Sequence, residues 1–565
     1  MSMAPIETAG ERICTVTVSQ FLYAAVLFPP PRHGVLVPRS SILAVALSSL
    51  ALTAAAQPHA PRAAIGTASY EGAWNGEIAV FKGIPYAKPP VGDLRWKPPV
   101  PNESTGAHAA TAFGAQCMQN GRLIEWAKGI AAVFGTVDKM EPPSLSTSED
   151  CLSLNVWTPK LSGTAPVMVW IHGGSNTNGS GAESLYNGTQ LAKRGTVVVS
   201  INYRLGMFGF MVHPALVAES PRHVAGNYAL LDQMEALRWV RKHIKSFGGD
   251  PTRVTVFGES AGSIDIVHLM ASPVAKGLFD RAIAESGAPM GRMATVQSAA
   301  GLGVLFAKSL GVDTTGDVLA QLRAKPASDV LSAQSSFRPF VLAAGPVVDG
   351  WLFPDMTARI WERGEQTNVP LIIGSNAFEM TTLRAYLPAF PRTVAGFRQW
   401  AGQTLGSATE SVLAHYSPAD DAGVETAALH LTTELFMTCP VRIAARAMQR
   451  AGHPTWRYLF TRVLPGGERL GAYHSAEIGY VFGVKLAWLP SDAVDDRLAQ
   501  AMMGYWSRFA ATGDPNGGGA PQWPRYDAAS DPYLELGDTV AARAGFKKEA
   551  CDAMDGPIAA QWVGK

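Results

Sequence analysis

An apolar run passes directly into the turn Gly258-Glu259-Ser260-Ala261-Gly262, and this junction constrains the fold most strongly. Residues 252–257 read Thr-Arg-Val-Thr-Val-Phe, which is typical of a buried strand, and a helical pattern follows the turn. A Gly-x-Ser-x-Gly turn between a strand and a helix raises the serine hydroxyl into a cleft at the start of the helix. The bare pentapeptide also fits a structural glycine-rich turn, but its context predicts Ser260 as a nucleophile.

Apolar runs alternate with helical patterns along the rest of the chain. The nearly continuous apolar runs are residues 165–170, 196–201, 254–257 and 369–373. Between them, residues 227–247 carry large aliphatic side chains at helical spacing and end at Gly248-Gly249. Such runs are typical of parallel strands buried on both faces. The alternation therefore predicts an α/β fold with a mostly parallel central sheet and helices on both faces.

The composition excludes two classes of protein. Hydrophobic residues make up 47% of the chain and charged residues 16%, which indicates a folded protein and not a disordered one. Lys and Arg number 47 against 46 Asp and Glu, so the formal net charge is only +1. A nucleic-acid binder is expected to carry a basic excess, so no nucleic-acid partner is predicted.

Residues 39–56 have the pattern of a secretory signal peptide, because a basic residue precedes an apolar stretch that ends in small residues. The apolar stretch is shorter than the roughly 18 residues of a membrane span, which disfavours the alternative of a membrane anchor. We predict cleavage after Ala56, export to the periplasm or the medium, and a single domain over residues 57–565. The preceding 38 residues are too many for the basic region of a signal peptide, so translation is expected to start near residues 35–37.

The cysteine count is consistent with an exported protein. The chain contains Cys14, Cys117, Cys151, Cys439 and Cys551. Cys14 lies in the segment predicted to be removed, and the remaining even number predicts two disulfides with three possible pairings. The chain has no zinc-like Cys-x-x-Cys pattern and no histidine cluster, so neither a metal site nor a cofactor is predicted.

A second strand also runs into glycines. Residues 167–174 read Val-Met-Val-Trp-Ile-His-Gly-Gly. Glycines allow backbone N–H groups to approach a substrate, as an oxyanion loop requires. His172 lies before Ser260, whereas α/β-hydrolases order their catalytic residues as serine, acid, histidine, so a structural role is expected for His172.

Four further segments occur in the order found in a known family. They are Phe-Lys-Gly-Ile-Pro-Tyr-Ala-Lys-Pro-Pro-Val-Gly-Asp-Leu-Arg-Trp at 81–96, Ser-Glu-Asp-Cys-Leu-Ser-Leu-Asn-Val-Trp-Thr-Pro at 148–159, Asn-Tyr-Arg-Leu-Gly-Met-Phe-Gly-Phe at 202–210, and Gly-Asp-Pro-Asn at 513–516 with Trp523-Pro524. From about residue 64 to 551 the chain resembles the type-B carboxylesterases, which include cholinesterases and bacterial para-nitrobenzyl esterases. The resemblance implies an α/β-hydrolase fold and a serine hydrolase that cleaves small carboxylic esters through an acyl-enzyme without a cofactor.

The resemblance also assigns the partners of Ser260. The catalytic acid of the family matches Glu379, although Phe378 and Met380 stand where the family usually has Asp and Gly. The catalytic histidine matches His474, and Ser475 replaces the Gly that commonly follows it. These matches imply a Ser-His-Glu triad.

Further roles are implied by the same resemblance. The implied oxyanion donors are the N–H groups of Gly174, Ser175 and Ala261. The side chains implied to support the histidine are Glu259 and Ser286. The implied disulfides are Cys117–Cys151 and Cys439–Cys551, and the implied structural ion pairs are Arg95–Glu149 and Arg204–Asp232.

The substrate is less constrained than the chemistry. Residues 340–345 resemble the acyl-pocket wall of relatives, and their small side chains imply room for a bulky acyl group. The loop from Cys117 to Cys151 is long and apolar and predicts a lid over an apolar cleft, so an apolar ester is expected. Its Trp126 is not at the position of the choline-binding Trp of cholinesterases, which disfavours a choline ester. An amide or carbamate hydrolase and a non-catalytic binding protein remain alternatives, although binding members usually lack a triad residue.

Overall fold

The computed structural model of the protein describes six stretches of the chain. They are residues 59–141, 145–288, 291–313, 315–337, 345–387 and 389–563. The predicted signal peptide and residues 340–344 of the predicted acyl-pocket wall lie outside the described residues. Residues Ala60–Lys565 constitute one compact unit.

The strands of the described residues range from two to eleven residues in length. They are β1 (Arg62–Ile65), β2 (Ala68–Glu71), β3 (Ala73–Asn75), β4 (Ile78–Pro85), β5 (Gly106–Ala109), β6 (Gln116–Cys117), β7 (Thr147–Ser148), β8 (Ser153–Thr158), β9 (Ala165–Ile171), β10 (Val197–Ile201), β11 (Gly249–Glu259), β12 (Arg281–Glu285), β13 (Ala294–Thr295), β14 (Val347–Val348), β15 (Leu371–Asn376), β16 (Thr455–Phe460), β17 (Pro532–Leu536) and β18 (Val540–Ala544).

Eleven of these described strands form one central sheet in the order β18-β17-β16-β15-β12-β11-β9-β10-β8-β4-β3. The seven neighbours from β17 to β10 run parallel. Antiparallel strands flank them on both sides. The mostly parallel sheet predicted from the apolar runs is therefore confirmed.

The α-helices of the described residues cover both faces of this sheet. They are α1 (Arg122–Val133), α2 (Thr189–Ala192), α3 (Gly206–Phe210), α4 (Pro214–Glu219), α5 (Tyr228–His243), α6 (Ala261–Ala271), α7 (Val296–Ser309), α8 (Val318–Ala324), α9 (Ala327–Ser336), α10 (Thr357–Glu362), α11 (Met380–Leu383), α12 (Val394–Leu405), α13 (Thr409–Leu413), α14 (Val424–Thr433), α15 (Cys439–Arg450), α16 (Ile478–Phe482), α17 (Ala493–Thr512) and α18 (Lys548–Val563). In the described ranges, none of them is both long and apolar enough to cross a membrane.

The central strands bury side chains on both faces, which explains why their sequences do not alternate between apolar and polar residues. In β9, Val169 and Ile171 belong to the hydrophobic cluster that includes the apolar face of α5. Met168 and Trp170 point the other way, into the cluster that includes α17. Two helical layers therefore enclose the sheet, as the α/β prediction requires.

The parallel strands bring the predicted site residues to one edge of the sheet. Strand β11 ends at Glu259, directly before Ser260, and β15 ends at Asn376, shortly before Glu379. The segment after β16 carries His474. Since ligands of open α/β sheets bind beyond the carboxyl ends of the strands, this edge is the expected location of a site.

Two disulfides tie down segments outside the sheet. Cys117 pairs with Cys151 across a sequence separation of 34 residues, and Cys439 pairs with Cys551 across 112 residues. This is the pairing implied by the family resemblance. The first bridge closes the loop that contains α1, and the second joins the start of α15 to α18.

Loss of either disulfide is expected to destabilise the protein. Replacing both cysteines of one pair by alanine should lower the free energy of unfolding by roughly 2–4 kcal/mol, because the unfolded chain gains conformational freedom. Thermal unfolding of each double variant measures this loss. Peptide mapping without reduction gives the pairing directly, and a peptide linking Cys117 to Cys439 would contradict it.

Candidate active site

Ser260 lies in a sharp turn between β11 and α6. Its backbone has φ 56° and ψ −122°, a left-handed conformation that a non-glycine residue adopts rarely. A Cβ atom on Gly262 would lie only 2.0 Å from the carbonyl oxygen of Ile171, so this turn packs against β9 too closely for a larger residue. The turn places the Ser260 hydroxyl in a large cavity, as the Gly-x-Ser-x-Gly context predicts.

A continuous chain of hydrogen bonds joins Ser260, His474 and Glu379. The Ser260 hydroxyl lies 2.8 Å from His474 Nε2, and Nδ1 of the same ring lies 2.6 Å from Glu379 Oε2. The other carboxylate oxygen, Oε1, accepts the N–H of Asn376 at 2.7 Å. With the proton on Nδ1, the ring accepts from the serine and donates to the carboxylate, which is the arrangement of a nucleophile, a base and an orienting acid.

The unusual neighbours of Glu379 are accommodated by local packing. Phe378 stacks on His430 with the ring centroids 4.2 Å apart, and the N–H of Met380 donates to Thr433 Oγ1 at 3.3 Å. Glu379 itself is fully buried. The Phe and Met therefore change the surroundings of this loop while the carboxylate still reaches His474.

A second carboxylate lies on the other side of the histidine ring. Glu259 Oε1 is 3.1 Å from His474 Nε2, the atom that also faces Ser260. The hydroxyl of Ser475 donates to this same oxygen at 2.6 Å. Ser475 has a positive φ of 69°, which glycine adopts more readily, but glycine has no side chain that could make this contact.

The carboxylates dominate the electrostatics of the site. Burial lowers the pKa of His474, but the negative charges of Glu259 and Glu379 outweigh it and raise that pKa to about 9. Burial and the neighbouring carboxylates Glu259 and Glu379 raise the pKa of Glu477 to about 8. The site thus favours the imidazolium form that a general base generates during the reaction.

Ser286 does not contact the histidine directly. Its hydroxyl lies 3.3 Å from Glu477 Oε1, and the other oxygen of Glu477 accepts the side-chain amide of Asn376 at 2.6 Å. Asn376 also donates its backbone N–H to Glu379, so hydrogen bonds connect Ser286 to the carboxylate beside the histidine through Glu477 and Asn376. Neither Glu477 nor Asn376 was predicted from the sequence, although Glu477 lies three positions after His474 in the motif that identified the histidine.

The predicted oxyanion donors are available. In the described part of the chain, the backbone N–H groups of Gly174, Ser175 and Ala261 donate no hydrogen bond. Gly174 has φ 105°, and a Cβ atom there would lie 2.2 Å from the carbonyl oxygen of Asn178, so only glycine fits. Ala261 begins α6, where the first N–H groups have no partner within the helix.

Among the described residues, His172 forms no hydrogen bond with the Ser260 hydroxyl. Its ring stacks on Tyr203 with centroids 4.4 Å apart, and its Nδ1 lies 2.8 Å from the Gly173 carbonyl oxygen. Burial lowers the pKa of His172 to about 4, so the ring is neutral. These contacts hold the ring of His172 against Tyr203 and the backbone of Gly173, directly before Gly174.

Ser260 and His474 line a cavity of about 1310 Å³. This volume exceeds the roughly 300–1,000 Å³ of ordinary small-molecule sites. Trp126 and Ile130 of α1 form part of its wall, and α1 packs on Leu464 and other apolar residues beside the histidine. The loop closed by Cys117–Cys151 therefore covers one side of the cavity. Among the described residues, no cluster of three or more histidine, cysteine or acidic side chains could hold a metal ion.

Comparison with known proteins identifies the family of the chain. The model of the Carboxylesterase family matches residues 64–554. Fumonisin B1 esterase of Sphingopyxis macrogoltabida is 35% identical over 519 residues, covering 88% of this chain and 91% of that protein. Carboxylesterase 1C of Mus musculus is 34% identical, covering 84% and 87%.

Solved structures give the same result at the level of the fold. A PNB esterase structure superposes with a TM-score of 0.74 and 31% sequence identity, covering 88% of this chain and 99% of the other. A second PNB esterase structure gives a TM-score of 0.73 at 32% identity. The chain thus has the α/β-hydrolase fold, belongs to the carboxylesterase family and is a carboxylic ester hydrolase.

Proposed function

We propose that this carboxylesterase cleaves its ester through a Ser260-His474-Glu379 triad and an acyl-enzyme intermediate. The hydrogen-bond chain from Ser260 to Glu379 carries this proposal, because its first two members line the large cavity. No step requires a cofactor.

In the first half-reaction, His474 Nε2 removes the proton from Ser260 while the oxygen attacks the ester carbonyl carbon. Glu379 holds the ring in the correct tautomer and stabilises the imidazolium. The N–H groups of Gly174, Ser175 and Ala261 bind the oxyanion that develops. A single such donor contributes about 2.7–4 kcal/mol to the stability of the transition state.

In the second half-reaction the acyl group is transferred to water. The first half-reaction has ended with collapse of the tetrahedral intermediate and transfer of the His474 proton to the departing alcohol, and the neutral ring now accepts a proton from the water molecule that attacks the acyl-enzyme. Collapse of this second tetrahedral intermediate releases the carboxylic acid, and His474 returns its proton to the serine oxygen, which restores the Ser260 hydroxyl and the neutral histidine. The same oxyanion donors serve both half-reactions.

We infer that the preferred esters are apolar and larger than simple acetates. The cavity volume and the aromatic and aliphatic wall contributed by α1 support this inference. Because one relative is named fumonisin B1 esterase, fumonisin B1 belongs among the candidate substrates together with simple alkyl and aryl esters.

A substrate panel tests this function. Purified protein is assayed on p-nitrophenyl esters of increasing acyl length, on fumonisin B1, and on matched carbamates and anilides. The proposal expects ester cleavage with a preference for longer acyl groups. Cleavage of the carbamate or anilide with a kcat/KM above that of the matched ester would assign the alternative function.

We further propose that residues 1–56 are removed on export and that the mature domain comprises residues 57–565. The two disulfides support this proposal, since such bonds form in oxidising compartments. N-terminal sequencing of the exported protein tests it, with Gln57 expected as the first residue. A mature protein that retains the upstream segment would contradict cleavage there.

Activity should fall on acidification, because only neutral His474 can act as the base. The pKa of His474 is raised to about 9, so kcat/KM should decline as the pH falls through a value above the 6.5 of a free histidine. Replacing Glu259 or Glu379 by Gln removes one negative charge and should move this acidic limb to lower pH. A pH profile of kcat/KM for each variant measures the shift.

The two variants separate the roles of the carboxylates. Glu379→Gln should also lower the limiting rate strongly, because a neutral amide does not stabilise the imidazolium and can present an N–H to Nδ1, which favours the wrong tautomer. Glu259→Gln should move the acidic limb with a smaller loss of rate. An acidic limb that stays in place in both variants would show that another group controls the ionisation.

A further inference from the structure

The oxyanion loop adopts an unusual backbone. Three consecutive residues, Gly174, Ser175 and Asn176, have positive φ values of 105°, 57° and 56°. Non-glycine residues keep such conformations only where surrounding contacts enforce them. The backbone carbonyl oxygen of Asn176 accepts the N–H of Gly206 at 2.7 Å, which supplies one of these contacts.

A second contact ties the loop to the helix of the nucleophile. The side-chain amide of Asn176 donates to Asp265 Oδ1 at 3.0 Å. Asp265 lies on α6, which begins directly after Ser260, and its side chain is fully buried. The hydrogen bond therefore joins the two segments whose relative position decides whether the oxyanion donors face the carbon attacked by Ser260.

The other oxygen of Asp265 is also occupied. Gln233 of α5 donates its side-chain amide to Asp265 Oδ2 at 2.6 Å. Burial raises the pKa of Asp265 to about 7, against the effect of the two amide hydrogen bonds. Within the described stretches, Asp265 forms no ion pair with Arg, Lys or His.

A buried carboxylate without a cation is costly compared with an apolar residue at the same position. Asp265 is fully buried, and the neighbouring residues of α6, Ile266 and Val267, belong to the hydrophobic core. The cost is understandable if the carboxylate makes a contact that an apolar residue cannot make. Its contact with Asn176 is of this kind.

We propose that Asp265 is a positioning residue that fixes the segment 174–176 relative to Ser260 through Asn176. Gln233 orients the carboxylate from α5. The arrangement keeps the N–H groups of Gly174 and Ser175 directed at the developing oxyanion. This inference rests on the proposed function, since it assigns a role in the same reaction.

The test compares Asn176→Ala and Asp265→Ala, which remove opposite ends of one hydrogen bond, and the variant that carries both changes. Steady-state kinetics on a p-nitrophenyl ester should show kcat lowered about tenfold to a hundredfold in each single variant, with KM within about twofold, because the oxyanion develops only after binding. Inhibition by a trifluoromethyl ketone, whose adduct with Ser260 needs the same donors, should weaken by a similar factor.

The double variant should have a kcat no lower than that of the less active single variant, because both changes remove the same contact. Ser272→Ala is the matched control. It removes a buried hydrogen bond, from Ser272 Oγ to the Leu352 carbonyl oxygen at 2.8 Å, at the far end of α6. It should lower thermal stability without changing kcat.

Asn176→Ala decides the matter if Asp265→Ala does not fold, because it leaves Asp265 and Gln233 paired. A kcat within twofold of the parent protein in a folded Asn176→Ala variant would overturn the inference, as would a loss confined to KM. These outcomes require an active parent protein. An inactive parent would instead contradict the proposed function.

Discussion

Replacing Ser260 by alanine is expected to abolish ester turnover while the protein keeps its fold. The substitution removes only the hydroxyl oxygen, which lies 2.8 Å from His474 Nε2 and makes no other hydrogen bond among the described residues. Without a nucleophile no acyl-enzyme forms, and kcat should fall on the order of 10⁶-fold, to the rate of attack by water in the remaining site. Initial rates on p-nitrophenyl esters measure the loss.

The thermal unfolding midpoint of Ser260→Ala is the control for its fold. Alanine at this position retains the strained turn of φ 56°, so the midpoint should change little. A folded Ser260→Ala protein that hydrolyses esters at the parent rate would show that the nucleophile lies elsewhere.

Removing His474 or Glu379 is expected to be nearly as severe. His474→Ala deletes the base, and its kcat should fall about as far as that of Ser260→Ala. Glu379→Gln keeps the shape of the side chain but cannot accept the Nδ1–H in the same way, and its kcat should fall on the order of 10⁴-fold. The His474 contact at 2.6 Å is the reason for expecting so large an effect from a residue that does not touch the substrate.

Double variants test whether the three side chains act as a unit. The variant that carries both Ser260→Ala and His474→Ala should be no less active than Ser260→Ala alone, since the base has no function without the nucleophile. Thr433→Ala provides a control near Glu379, because it removes only the acceptor of the Met380 N–H. Multiplicative losses in the double variant would contradict a shared catalytic step.

The sequence predicted the fold well because its main signals are local. The apolar run before Ser260 and the glycines around it predict a strand, a turn and a helix, and the structure has β11, the turn and α6 in these places. Strand β11 begins before the predicted apolar run of residues 254–257. Its first half is polar and contains an irregularity between Gly249 and Val254, so the apolar pattern did not indicate it. The predicted helix over residues 227–247 ends as α5 at His243 and continues as a 3-10 turn.

The site was predictable only where a motif marks a residue. No local pattern relates Ser260 to Glu379 or His474, which lie far along the chain, and the family resemblance supplied both. Their roles remain predictions, supported by the hydrogen-bond distances of 2.8 Å and 2.6 Å that join the three side chains. The short distance between Glu259 and His474 could not be predicted from a local pattern either, because it depends on how the chain folds.

The features of the site that could not be predicted from the sequence are contacts between side chains that lie far apart in the chain. Asn176 and Asp265 are 89 residues apart, and nothing in either segment indicates that an amide and a carboxylate will meet. Ser475 and Glu259 are separated by 216 residues, and a serine in place of glycine is by itself only a departure from the family pattern. Such pairs become visible only when the carboxyl ends of the strands lie side by side.

Trapping the acyl-enzyme is a direct test of covalent catalysis by Ser260. A p-nitrophenyl ester is mixed with the protein at comparable concentration, the reaction is quenched in acid within the first turnovers, and the digested protein is analysed by mass spectrometry. We expect a burst of one p-nitrophenol per active site and the mass of the acyl group on the peptide that contains Ser260, with neither feature in Ser260→Ala. Turnover without a covalent adduct, or an adduct on a different residue that survives in Ser260→Ala, would contradict catalysis through a Ser260 acyl-enzyme.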